Sequence, residues 1–406
     1  MKKSLWLCAA MAISILACKK EEKETTQPQP LPQEEALPAL VLPCNLQGSD
    51  ALVHADSVLV LSNRNDSVDY IINCYAKVRG GLVLEPGVTV QFGNDAGLYV
   101  YGYIDANGTA DSNVVFTGED KVPGSWGFIS IGSTDIKNSL DYTVVEYAGG
   151  EATSSNGNKG NIVIQPGDYL SITNSTLRFS ADYGLHVPYN ESGLVFENNT
   201  LTGNKFPISL PCNMVRDLSS GDFSGNENDY IHVGTYGFGN SATIHSQEQH
   251  LWKDHGVPYR MYKTIRVTSG TLELQPGVEM VFENGLSLEV GENDNATLIA
   301  NGTQQDSILF TGLIKAPAAW GGIYFEFTQS PLNSLNYCKI EYTGADGYDG
   351  AIYTWASAKA SVTNTLFKDV AGCAIYFAPG VSNPNNNFYE ENNSMLNVSG
   401  GYICGD

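Results

Sequence analysis

Apolar and polar residues alternate in short runs along most of this chain, and Gly, Asn, Asp or Pro cuts each run. Leu82 and Leu84 open one such run. Val88, Val90 and Phe92 resume the beat after Pro86-Gly87. Phe128, Ile129 and Ile131, Val144 and Tyr147, and Ile162 and Ile164 mark others. A period of two sends one side of each strand inward. No long stretch holds a helical period. Strands recur about every 10 residues, so a closed coil would take roughly 20–30. An all-β chain is predicted, and spacing alone leaves a sandwich and a solenoid open.

The chain also repeats itself. LVLEPGVTVQF (82–92) matches LELQPGVEMVF (272–282), and IDANGTADSNVVFTG (104–118) matches LIANGTQQDSILFTG (298–312). VPGSWGFISI (122–131) matches APAAWGGIYF (316–325), and SLDYTVVEYAGG (139–150) matches SLNYCKIEYTGA (334–345). SITNSTL (171–177) matches SVTNTLF (361–367). The order is kept, with an offset between 190 and 195 residues, which defines a duplication. The predicted units are 44–240 and 241–406, the second continuous with the first. Two features favour a solenoid. The Pro-Gly step bends a strand and the same alternation continues. Asn174, Asn198, Asn199, Asn364, Asn386 and Asn387 fall where successive coils would turn, and asparagine tolerates the left-handed region and can stack in ladders.

The run L-x-L-x-P-G-V-x-V-x-F, A-N-G-T, F-T-G, W-G and L-x-Y-x-x-x-E-Y resembles exported proteins of the pectin-lyase-like fold. That resemblance implies a right-handed parallel β-helix with an apolar interior and polar outer faces. It reports architecture, and fold alone does not assign an activity.

The N-terminus carries an address. Lys2 and Lys3 precede an apolar run from Leu5 to Ala17, too short to span a bilayer. The run ends in Ile15-Leu16-Ala17-Cys18, which is similar to the lipobox of bacterial lipoproteins. The resemblance implies removal of residues 1–17 and lipidation of Cys18. Two or more acyl chains are needed because one binds membranes only marginally. Residues 18–43 are charged, then rich in Pro and Gln, and read as a disordered tether. The acidic Glu21, Glu22 and Glu24 are similar to signals that place some lipoproteins on the outer face of the outer membrane.

Charge narrows the partners. The whole chain carries −22; removing Lys2 and Lys3 makes it −24. Such a surface repels nucleic acid, so no nucleic-acid partner is expected. Beyond Cys8 and Cys18, six cysteines remain: Cys44, Cys74, Cys212, Cys338, Cys373 and Cys404. An exported chain permits disulfides, and their connectivity stays open. Cys338 and Cys373 sit among apolar neighbours, where stacked core thiols are the alternative to a bridge.

Catalytic chemistry finds little purchase. The six arginines form no R-x-P-x-x-R arrangement like that of pectate lyases, and there is no N-T-D, D-D or G-H-G sequence. No catalytic residue and no metal site are therefore assigned. His245, His250 and His255 are read as exposed loop residues, and His54, His186 and His232 as isolated structural ones. GENDNA (291–296) and GADGYDG (344–350) alternate Asp and Asn as calcium loops do, yet neither fits the full loop pattern. They read as solvated turns, with structural calcium as the alternative. Trp126 and Trp320 hold matching positions and read as architectural. Tyr99, Tyr101 and Tyr103 alternate in LYVYGYI and are expected on one outward face, where rings could stack on sugars. The expected function is a membrane-anchored scaffold binding a glycan or another surface component. A polysaccharide lyase or glycoside hydrolase is one alternative, a structural spacer the other.

Overall fold

A computed structural model describes residues 37–44, 51–64, 67–153, 157–189, 192–234, 241–245, 247–291, 293, 295–344, 350–355, 358–378 and 387–405. Leu37–Asp406 forms one compact unit. It is a parallel β-helix. Every named strand pair is parallel, and one 13-stranded sheet runs through the unit from Tyr75–Val78 to Ser394–Val398. At about 4.8 Å per strand, its twelve spacings cover about 58 Å.

In the first copy the chain cycles through three faces. Thr89–Phe92 lies in an eight-stranded sheet, Gly97–Val100 in the long sheet and Tyr103–Asn107 in a six-stranded sheet. In the second copy the long sheet is flanked by a seven-stranded sheet and a second six-stranded one. Leu98, Ile129 and Ile162 stack in register through the interior, each fully buried. Each such side chain contributes about 1.5–3 kcal/mol. The turn at Pro86-Gly87 explains why the alternation continues past it. The Val88 amide donates to the Glu85 carbonyl at 3.2 Å, and Gly87 has φ of 87°. Proline followed by a residue of positive φ makes a type II turn, for which glycine suits the second place. Pro276-Gly277 repeats it, with φ of 89° at Gly277.

The corners are built from left-handed residues. Asn174, Asn198 and Asn364 have φ of 48°, 55° and 50°, as the asparagine pattern predicts. Asn174 Nδ2 donates to Asp141 Oδ1 at 2.8 Å, and Asn364 Nδ2 donates to Asn336 Oδ1 at 2.9 Å. Asn199 instead starts a strand and is buried, its Oδ1 accepting from the Ser175 amide. Asn386 lies outside the described residues. Tyr142 and Tyr337, the tyrosines of the SLDY and SLNY motifs, take the same left-handed corner at φ 45° and 48°.

The duplication is mounted with a shift. Thr89–Phe92 belongs to the eight-stranded sheet, whereas its equivalent Glu279–Phe282 belongs to the long sheet. Ile129–Ile131 belongs to the long sheet, and its equivalent Gly322–Glu326 to the seven-stranded one. Every element of the second copy has moved on by one face. The join is made by the 3₁₀ helix Cys212–Asp217, which takes the place of a strand after Phe206–Leu210. It buries Cys212, Met214 and Val215 against the flanking coils.

Two expectations need correction. Residues 37–43, assigned to a disordered tether, include the strand Leu40–Val41, paired with Tyr70 and Ile71. Leu42 is buried there, which supplies the reason. Cys373 is not a core thiol: it is bonded to Cys404, and Cys44 to Cys74. Cys338 and Cys212 are free and buried. The bridges tie down coils at opposite ends of the helix.

Candidate functional site

Two tryptophans show how the interior is anchored. The Trp126 ring stacks on Phe92 at 4.1 Å, and its Nε1 donates to the Glu146 carbonyl at 2.8 Å. Trp320 stacks on Phe282 at 4.3 Å and donates to the Glu341 carbonyl at 2.8 Å. The glutamate side chains are buried and partnered in parallel ways. Glu146 accepts from Thr117 and pairs with Arg178; Glu341 accepts from Thr311 and pairs with Lys339. This polar cluster is spent on architecture.

The outward side of the long sheet carries the first candidate surface. Lys77, Tyr99, Ser130, Val163 and His186 follow one another in register. Tyr75 lies 6.2 Å from Tyr99, and Tyr101 lies 6.0 Å beyond it with rings only 2° from parallel. The Arg79 guanidinium lies 5.8 Å over the Tyr101 ring. Phe128 packs beneath Tyr75 and Tyr99 at 5.6 and 5.0 Å. Burial, with help from Glu151 and Asp95, pushes the Tyr75 phenol up to about 12. Burial and then Tyr101 raise Tyr99, while Lys77 opposes the shift. These hydroxyls therefore remain neutral donors at physiological pH. Tyr101 is 48% exposed.

Tyr103 does not share that face. The strand ends at Val100, the chain bends through Tyr101-Gly102, and Tyr103 begins the next sheet. A Cβ on Gly102 would meet the Gly80 carbonyl oxygen at 2.0 Å, so only glycine lets the coil turn there. The Tyr103 ring covers Gly81 and receives Lys137 Nζ at 4.7 Å. A run of alternating tyrosines reads the same on a straight strand and around a corner.

The histidines differ from expectation. His250 faces inward and is fully buried, which pushes its pKa down to about 4. His255 packs edge-on to Phe223 at 5.1 Å, and burial lowers its pKa too. Only His245 of the three is exposed. His186 and His232, read as isolated, share one outward row with Ser209 between them. Tyr262 Oη lies 2.7 Å and Tyr183 Oη 3.0 Å from His232 Nδ1. Phe206 packs at 4.5 Å. Burial lowers His232 to about 3 and His186 to about 4, so both rings are neutral. The two residues are far apart in sequence, and only the coil register joins them.

Among the described residues no group of three or more His, Cys, Asp or Glu could hold a metal ion. Residues 292, 294 and 345–349 of the acidic turns, and Cys18, lie outside the described residues. No described helix is long and apolar enough to cross a membrane. Comparison with known proteins finds no matching family model, no matching curated protein and no matching solved structure.

Proposed function

We propose that this chain is a bacterial lipoprotein, anchored through Cys18 in the outer membrane, whose β-helix binds a glycan. The observation that carries the reading is the line Tyr75, Tyr99, Tyr101, Arg79. It offers the parallel rings of Tyr99 and Tyr101 with Tyr75 tilted 47° beside them, an exposed Tyr101 and a guanidinium. Sugar rings present apolar C–H faces and hydroxyl rims, and aromatic rings with a polar handle suit both. Lys77 and Arg79 stand along this strip, and Asp95 and Glu151 stand near Tyr75. The fold suits an extended ligand, because strands repeat at one spacing along the axis.

The anchor is tested by fractionation. Cys18→Ser should move the protein from membranes to the soluble fraction; retention in membranes refutes lipidation. The glycan reading is tested with a glycan array and the Tyr101→Ala variant. Wild type should bind, and the variant should lose roughly tenfold in affinity, about 1.4 kcal/mol. Turnover of the bound polysaccharide would replace this reading with an enzymatic one.

A further inference from the structure

The seven-stranded sheet of the second copy carries a different outer surface. Arg266, Glu289, Tyr324, Tyr353 and Tyr376 follow in register along one row. Gly291, Glu326 and Trp355 follow along the row beside it. Tyr353 and Tyr376 lie 5.6 Å apart with rings 11° from parallel, and Trp355 lies 6.5 Å from Tyr353 at 23°. Tyr324 closes the set from below, edge-on to Tyr353 at 5.5 Å, and is buried. Trp355 is 43% exposed, and Phe327 just past Glu326 is 50% exposed.

The rings adjoin a hollow. Arg266, Glu289, Gly291 and Glu326 line it, and Arg266 Nε pairs with Glu289 at 2.6 Å. Gly291 lets the neighbouring coil come close there. A Cβ there would strike the Glu326 carbonyl oxygen at 2.1 Å, so no other residue fits. The hollow thus holds two carboxylates against one guanidinium, directly before the rings in register. From Arg266 to Tyr376 the row spans four strand spacings, about 19 Å.

We infer that this face is a second glycan-binding subsite, built for a neutral polysaccharide. It rests on the glycan-binding reading above, but uses other residues. Exposed aromatic rings suit the C–H faces of pyranose units. Carboxylate oxygens accept from sugar hydroxyls, and the guanidinium donates to sugar oxygens. The excess carboxylate disfavours a uronate or sulfated chain, because an acidic sugar would meet Glu326 and Glu289 with like charge. The row is long enough for several consecutive sugar rings.

Affinity electrophoresis of the full chain provides the test. The gels contain a neutral mixed-linkage β-glucan, a mannan or polygalacturonate. At least one neutral polysaccharide should retard the protein. Trp355→Ala should weaken that retardation roughly tenfold in Kd, while Tyr101→Ala leaves it within about twofold. Far-UV circular dichroism should be unchanged in both variants, since both rings are surface-exposed. Glycan binding that Tyr101→Ala removes and Trp355→Ala leaves intact overturns the second subsite and keeps the first. Trp355-dependent binding of polygalacturonate with none of the neutral glycans overturns the assigned ligand class. Retardation by no polysaccharide overturns both.

Discussion

Trp126 and Trp320 occupy the same place in the two copies and make the same contacts. Tyr99 and Glu289 also occupy the same place, one hundred and ninety residues apart, and do not resemble each other. The inner parts of the two copies have been held, and the outer rows have diverged. Lys77, Tyr99, Ser130, Val163, His186 in one copy becomes Arg266, Glu289, Tyr324, Tyr353, Tyr376 in the other. The aromatic cluster comes early in the first row and late in the second. Stacking neighbours constrain an inward side chain on both sides, whereas an outward one answers mainly to what it meets.

That contrast can be broken at its strongest point first. Trp126→Ala and Trp320→Ala should each cost about 3–5 kcal/mol, by loss of a buried ring and of its hydrogen bond. Urea unfolding followed by circular dichroism should give similar costs for the two. A cost confined to one copy would mean that matching geometry hides different roles.

The ends come next. Cys373→Ser should free the last coil, and Cys44→Ser the first. Each bridge closes a loop of 30 or 31 residues, worth about 3–4 kcal/mol in the chain-entropy account. Hydrogen exchange should show lost protection near the severed bridge and little change at the far end. Uniform loss along the whole helix would contradict the stacked-coil description.

A smaller effect separates the outer rows by pH. His186 is held neutral by burial, with a pKa of about 4 against about 6.5 when unfolded. Above about pH 6.5 neither state binds the proton, and stability is flat with respect to this group. As pH falls from there towards 4, the unfolded chain takes up the proton first and stability declines, by at most about 3 kcal/mol. His232 extends the same decline to lower pH. His186→Tyr installs the side chain that the second copy carries at Tyr376 and should make the fall of the melting temperature between about pH 6.5 and 4 shallower, with His232 and His250 keeping the remainder. An unchanged acid slope would show that the histidine is not what the acid acts on. Smallest of all, Tyr101→Ala should change stability by no more than about 0.5 kcal/mol, because the ring is half exposed. A larger loss would make Tyr101 an architectural residue like Trp126.

The sequence makes the interior legible and the exterior much less so. Period-two runs, the Pro-Gly turns and the asparagine corners each have a local cause, and together with the repeat they point to stacked coils. Tyr103 leaves the tyrosine row because a corner at Gly102 is invisible to alternation. His250 is buried because Cys212–Asp217 packs over its strand, a contact no local pattern announces. His186 and His232 come together because the coil lengths set their register. Cys373 finds Cys404 for the same reason. The platform around Trp355 had a local signal in IYTW, where Tyr353 and Trp355 alternate, but their stacking with Tyr376 depended on register.

The one-face shift between the copies has a mechanical consequence. Had the second copy been mounted directly in line, both aromatic platforms would lie along one side, and a single straight polysaccharide could run over both. As built, the platforms are carried on different sheets and look out on different sides. If both platforms bind glycan as proposed, one straight strand could not lie on both at once, but two strands could be held together. The helix would then act as a rivet in a polymer network, gaining avidity from each strand it joins.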